Sequence, residues 1–321
     1  MNSTNDAERH GFPGGQRHEF TNPAPGRSVL ACLARSCGLE PALVQTSGDE
    51  LCLRLDERWG PLLESFSRLG PLGVLSPHGA ARVIQTVKGV DFQPVPESTE
   101  WVDLEGALTL DTAAISFALA VEERRPQGSL IGIQFFDRAQ EGLLKLLAIP
   151  GSNFTEFGNL LSRHAVQPVD LPFQAEPVAA PQPAPDLETL SADWDLYNPF
   201  LLDEVADLPV LPGEFFPQMG PARAERATER FVAAYLLNAH VTASALEVVA
   251  FSPGLVHRQV LTPNQLEPCC HGTHLVDEGG QVLIPYADLL PWRCAYGTSP
   301  TETLEFLDAT GHRRLALRHT V

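Results

Sequence analysis

The chain has no run of 18 or more apolar residues, so none of it reads as a helix crossing a bilayer. Cations are scarce: 22 Lys and Arg stand against 40 Asp and Glu, a net charge of −18. Phosphate binding needs clustered Lys and Arg, so the balance argues against a nucleic-acid partner and equally against an anionic membrane surface. Cysteine is sparse and irregularly placed, with six residues at 32, 37, 52, 269, 270 and 294. That pattern is no disulfide scaffold and fits reduced thiols of the cytoplasm. Residues 1–27 are polar, rich in Gly, Pro and His, and lack the apolar centre of a signal peptide, so they read as a disordered arm. No G-x-S-x-G elbow, phosphate-binding loop, Rossmann glycine pattern or H-E-x-x-H occurs.

What is present is a hairpin used twice. Ser129 to Phe136 forms an apolar run ending at Asp137, a short turn follows, and a second run ends at Lys145-Leu146-Leu147. A degraded copy reads Thr303-Leu304-Glu305-Phe306-Leu307-Asp308, then Gly311, then Arg314-Leu315-Ala316-Leu317. Each copy predicts strand, turn, strand. A repeat about 170 residues apart is far too long for a solenoid and points to two similar modules.

The pattern around these hairpins predicts an α+β fold with two similar modules, each with N-terminal helices followed by a large antiparallel β-sheet. Residues 28–70 read as helical, with Glu40-Pro41 opening a second helix. Short strand-like runs follow at Gly73 to Leu75, Ala81 to Val87, Trp101 to Leu104 and Ala114 to Val121. Phe154 to His164 predicts a closing helix capped by Ser152 or Asn153. Residues 166–189 hold six prolines with several alanines, the composition of a linker. The expected organisation is therefore an arm at 1–27, a first repeat at 28–165, the linker at 166–189 and a second repeat at 190–321. In the second repeat, Ala222 to Asn238 predicts a helix, Leu246 to Phe251 a strand, and no closing helix is expected after the last hairpin.

The hairpin wording resembles that of the HemS/ChuX family, the cytoplasmic haem-utilisation proteins of bacteria, whose longer members carry two repeats. Leu33 to Val44 resembles that family's opening helix-turn-helix, and Trp59-Gly60-Pro61-Leu62-Leu63-Glu64-Ser65-Phe66 its next helix. Gly254-Leu255-Val256-His257 and Trp292 to Thr298 stand where the second repeat has comparable segments. The resemblance covers roughly 28–165 and, more loosely, 235–321.

It implies a cytoplasmic haem-binding and haem-trafficking protein of bacterial haem utilisation, with haem degradation an open question. Its partners would be haem itself and a haem importer or haem-receiving protein. The family ligand, a histidine shortly after the linker, would fall near Asp195 or Leu201, with Tyr197 close by. No histidine occurs between His164 and His240. The candidates that remain are His78 and His257 for iron, and Arg82 and Arg293 for the propionates. His78 stands ten residues before Lys88 in Val87-Lys88-Gly89, a spacing similar to that of single-repeat members. Cys269-Cys270-His271-Gly272-Thr273-His274 gathers soft ligands, but adjacent cysteines seldom share one zinc, so a loop with incidental thiols is the expected reading. The alternative function is a divergent HemS-like fold that has lost haem and acts as a non-catalytic binding or regulatory module.

Overall fold

A computed structural model describes residues 28–37, 39, 43–45, 50–76, 81–125, 128–166, 194, 198–200, 211–269, 272–286, 288–296 and 302–320. The proposed arm at 1–27 and nearly all of the proposed linker at 166–189 lie outside them. The first half contains helices α1 (Val29–Ser36), α2 (Trp59–Glu64) and α3 (Phe154–His164). Its strands are β1 (Val44–Gln45), β2 (Glu50–Arg54), β3 (Leu72–Ser76), β4 (Arg82–Val87), β5 (Phe92–Pro94), β6 (Glu100–Asp103), β7 (Leu108–Asp111), β8 (Phe117–Arg125), β9 (Gly128–Phe136) and β10 (Gly142–Ala148). The second half opens with a single helical turn, Pro212–Phe215, followed by β11 (Ala224–Arg226) and helix α4 (Glu229–Thr242). Then come β12 (Leu246–Ser252), β13 (Leu255–Leu261), β14 (Gln265–Cys269), β15 (Gly272–Val276), β16 (Gly280–Pro285), β17 (Leu290–Ala295), β18 (Glu302–Leu307) and β19 (Arg313–His319).

These strands build two antiparallel sheets with matching orders. The first runs β1-β2-β8-β9-β10-β3-β4-β16-β15-β14, the second β11-β17-β18-β19-β12-β13-β7-β6-β5. Replacing each strand by its repeat counterpart converts one order into the other, apart from β1. The two hairpins, β9–β10 and β18–β19, thus hold equivalent places. Even their turns match: Asp137 and Asp308 each accept from the backbone N–H four residues on, and Gln140 and Gly311 both adopt positive φ.

Each sheet also borrows three strands from the other half of the sequence. β4 pairs with β16 from Arg82 opposite Leu283 to Gln85 opposite Gly280, and β13 pairs with β7 from Leu255 opposite Leu110 to His257 opposite Leu108. The β12–β13 turn seals this exchange: Gly254 has φ +82° and its carbonyl accepts from Asp111 N–H at 2.8 Å. A Cβ at Gly254 would collide with Ala114 in a conformation that L side chains rarely adopt. Gly254→Ala is therefore expected to lower stability by about 1–3 kcal/mol, measured as a shift in the denaturation midpoint.

The helices and the opposing sheet share each sheet's inner face. Leu33 of α1, Phe66 of the 3-10 turn after α2 and Phe157 of α3 join Val74, Ile133, Phe135 and Leu144 in one core, to which the second sheet adds Leu108, Leu110 and Leu255. A second core combines Val232 and Leu236 of α4 with Val248, Leu304 and Phe306, and takes Val83, Val282 and Ile284 from the first sheet. Three local expectations are corrected. Residues 28–70 are not wholly helical, because β1 and β2 pair from Val44 opposite Cys52 to Gln45 opposite Leu51. The Ala222 helix begins only at Glu229, since Ala224–Arg226 pairs with β17 and Thr228 caps the helix by accepting from Phe231 N–H. Ala114 to Val121 is a strand only from Phe117, after a short 3-10 turn at Thr112–Ala114.

Candidate functional site

Of the four residues chosen from sequence, the three that are described do not converge. His78 lies outside the described residues. Arg82 is exposed on β4, where it alternates with Val83 and Gln85, so it points away from the inner face. His257 points the other way. It is completely buried, with Nδ1 2.6 Å from Ser76 Oγ and Nε2 3.1 Å from Gln85 Oε1. Burial pushes its pKa down to about 3. Both ring nitrogens are thus engaged between the sheets, and His257 sits in the core. Arg293 lies on β17, four strands from β13, a separation of about 19 Å at the usual strand spacing. Its guanidinium is held by Glu225 at 2.7 Å and Glu302 at 3.5 Å, and sits 5.8 Å from the Phe231 ring of α4. It brackets the α4 helix and the sheet edge. Of the soft-ligand cluster, Cys270 and His271 lie outside the described residues, and His274 contacts Gln281 and Glu267. Among the described residues no group of three His, Cys, Asp or Glu could hold a metal ion.

The chemistry gathers instead on the outer face of the second sheet. Alternation along β18 sends Leu304 and Phe306 inward and Thr303, Glu305 and Leu307 outward. A β-bulge between Phe306 and Leu307 places Arg313 opposite Leu307, on the same outer face. Arg313 Nε donates to Glu305 Oε2 at 2.5 Å, and its Nη2 lies 3.2 Å from the Tyr296 hydroxyl, which donates to Glu305 Oε1. Thr303 Oγ1 adds a contact to the same Oε1 at 3.4 Å. Glu305 is 0% exposed, Tyr296 4% and Arg313 6%, so a full ion pair sits out of water. Burial, then the Glu305 carboxylate, push the Tyr296 hydroxyl well above its ordinary pKa; burial opposes the charge on Arg313, but Glu305, Tyr296 and Cys294 together outweigh it and raise that pKa.

Beside this cluster lies an apolar floor of Val249, Val256 and Ala316, with Phe251 packed against it. Phe251 links the two regions, since the Arg313 guanidinium carbon is 5.5 Å from its ring. Trp194 and Phe200, entering the second half, cover both. Trp194 stacks on Tyr296 at 4.8 Å and donates to the Ala295 carbonyl at 2.6 Å. Phe200 packs on the apolar floor, its ring 4.4 Å from the Arg318 guanidinium carbon, while the Pro199 carbonyl accepts from Arg258 Nη1 at 3.4 Å. Arg318 is paired with Glu247 at 2.6 Å. Three arginines, Arg258, Arg313 and Arg318, thus edge one apolar face, two of them already paired with Glu305 and Glu247, and guanidinium groups at the rim of apolar surface can meet a ligand's carboxylates. Sequence reading missed Glu305, Arg313, Arg318 and Arg258. The available signal was opposite charges on both strands of an otherwise apolar hairpin.

This architecture, two equivalent antiparallel sheets exchanging three strands, is a fold shared with solved structures. The haem-degrading enzyme ChuS of Escherichia coli O157:H7 superposes with a TM-score of 0.72 at 16% identity, over 84% of this chain and 81% of its own. Holo-PhuS, a haem-binding protein from Pseudomonas aeruginosa, superposes with a TM-score of 0.68 at 16% identity, over 84% and 82%. The resemblance to the HemS/ChuX family read from the hairpins thus holds in the fold. No protein-family model matches the sequence, and no curated protein matches it.

Proposed function

We propose that this protein binds haem on the outer face of its second sheet and acts as a carrier or store. The observation that carries the reading is the floor of Val249, Val256 and Ala316, edged by Arg258 and Arg318, beneath the post-linker residues Pro199 and Phe200. A porphyrin needs an apolar bed with cations at one edge for its propionates; Val249, Val256 and Ala316, buried beneath Phe200, would supply the bed once that side chain gives way, with Arg258 and Arg318 at its edge. The fold is shared with PhuS, which is described as haem-binding. The residues fit the group without a named iron ligand. The floor contains no histidine, and Asp195, Tyr197 and Leu201, where the family ligand would fall, lie outside the described residues, as does His78. Degradation is not part of the proposal. Residues 28–165 and 190–321 are taken as the repeats and 166–189 as the linker. As a carrier the protein would pass haem between an importer and a receiving protein in the cytoplasm, consistent with Cys32, Cys37, Cys52 and Cys294 forming no disulfide. No helix among the described residues is long and apolar enough to cross a membrane.

A second reading, a HemS-like fold used as a non-catalytic binding or regulatory module, is favoured by the absence of histidine between His164 and His240 together with the full engagement of His257. Haemin titration followed in the Soret region separates the two. A saturable change at micromolar haemin is expected. Arg318→Ala should weaken binding by about tenfold while leaving the spectrum unchanged, because it removes a charge-assisted contact and not a ligand. His78→Ala should shift the bands if His78 binds iron. No saturable change in the wild-type protein leaves the second reading.

A further inference from the structure

We infer that Arg313, Tyr296 and Thr303 form a ready-made carboxylate hole, and that Glu305, by filling it, is the residue that closes this part of the outer face to a ligand's anionic group. Three groups converge on one carboxylate: Arg313 Nε on β19, the Tyr296 hydroxyl just past β17, and the Thr303 hydroxyl on β18, which the carboxylate shares with the Cys294 carbonyl at 3.3 Å. Converging donors with no exposure to water are how proteins bind ligand carboxylates, and here the occupant is internal.

The pair is not required by the hairpin. The first hairpin has the same turn and a bulge at the same place, between Gly142 and Leu144, yet it carries Gln134 where the second has Glu305, and Gly142 where the second has Arg313. A buried ion pair is a weak stabiliser compared with apolar packing of the same volume, so folding alone does not account for it. The hole also adjoins the proposed floor through Phe251, which touches Arg313 on one side and the Phe200 cluster on the other. If haem binds as proposed, its propionates are held at Arg258 and Arg318, and Glu305 bars them from Arg313. That consequence rests on the haem reading; the hole itself does not.

The test uses the full chain. Glu305→Ala removes the internal carboxylate and should lower Tm by on the order of 10 °C. Sodium propionate should then restore Tm saturably, whereas sodium chloride at equal ionic strength should not. Wild-type protein and the double variant Glu305→Ala/Arg313→Met should show no propionate-specific rise. Recovery of folding only when propionate is present is the same result in stronger form. Failure of propionate to raise Tm above chloride, or failure to fold with propionate present, overturns the inference. For the haem consequence, Glu305→Gln should tighten haemin binding by about tenfold and leave haemin dimethyl ester unchanged. Propionate rescue without any haemin binding keeps the hole and rejects the haem reading, so the two failures are distinguishable.

Discussion

Arg313→Met is expected to destabilise the protein by about 3–5 kcal/mol, among the largest losses available to a single substitution here. The reason is the partner left behind. Glu305 is 0% exposed, and its carboxylate takes its strongest contact from Arg313 Nε at 2.5 Å. Without the guanidinium, only Tyr296 and Thr303 remain as donors to a buried charge. Replacing both members, as Glu305→Leu/Arg313→Met, removes charge and countercharge together and should return stability to within about 1–2 kcal/mol of wild type. The three variants and the wild type form a double-mutant cycle, read by chemical denaturation, with a coupling energy of several kcal/mol expected. Additive single effects would show that the two side chains do not act as a pair.

That pair illustrates where sequence reasoning stops. Glu305 lies in a strand that was read from sequence, but the second strand was read from Arg314, one residue too late, and strand alternation alone puts Arg314, not Arg313, opposite Leu307. The bulge at Phe306/Leu307 moves the register by one residue and turns Arg313 onto the outer face. A bulge leaves no mark in hydrophobic periodicity, so the site was invisible even though its residues were on the page.

The hairpins, by contrast, were legible because each half is a local object with its own turn. Asp137 and Asp308 fix those turns through contacts within four residues. The helix Phe154–His164 was legible for the same reason: Asn153 accepts from Thr155 and Glu156 N–H. The exchange of β5–β7 and β14–β16 was not legible. The edges of β4 and β13 are equally suited to a strand from either half, and only the packing of whole sheets chooses between them. His257 shows the same limit. A histidine on a strand can face a cleft or a core, and its cross-sheet partners, Ser76 and Gln85, lie far away in sequence.

His257→Gln should cost about 2–4 kcal/mol at pH 7.5 while leaving any haemin spectrum unchanged, and its cost should shrink in acid. At neutral pH the ring is uncharged. Gln85 Oε1 calls for a hydrogen on Nε2, which leaves Nδ1 to accept from the Ser76 hydroxyl. Both partners are neutral, so nothing at these contacts compensates an imidazolium, and burial lowers the folded-state pKa to about 3 from 6.5. The unfolded chain therefore takes up a proton below about pH 6.5 that the folded chain refuses until about pH 3. The wild-type contribution is complete above pH 6.5 and declines toward pH 3, by about 1.36 kcal/mol per pH unit through most of that window. Glutamine does not titrate, so the difference between variant and wild type isolates this histidine from the carboxylates that also protonate in acid. Denaturation midpoints at intervals between pH 7.5 and 4 give that difference directly. A gap that stays constant across the range would mean that His257 is not buried as a neutral ring between the sheets, and an altered Soret band in the variant would mark it as an iron ligand.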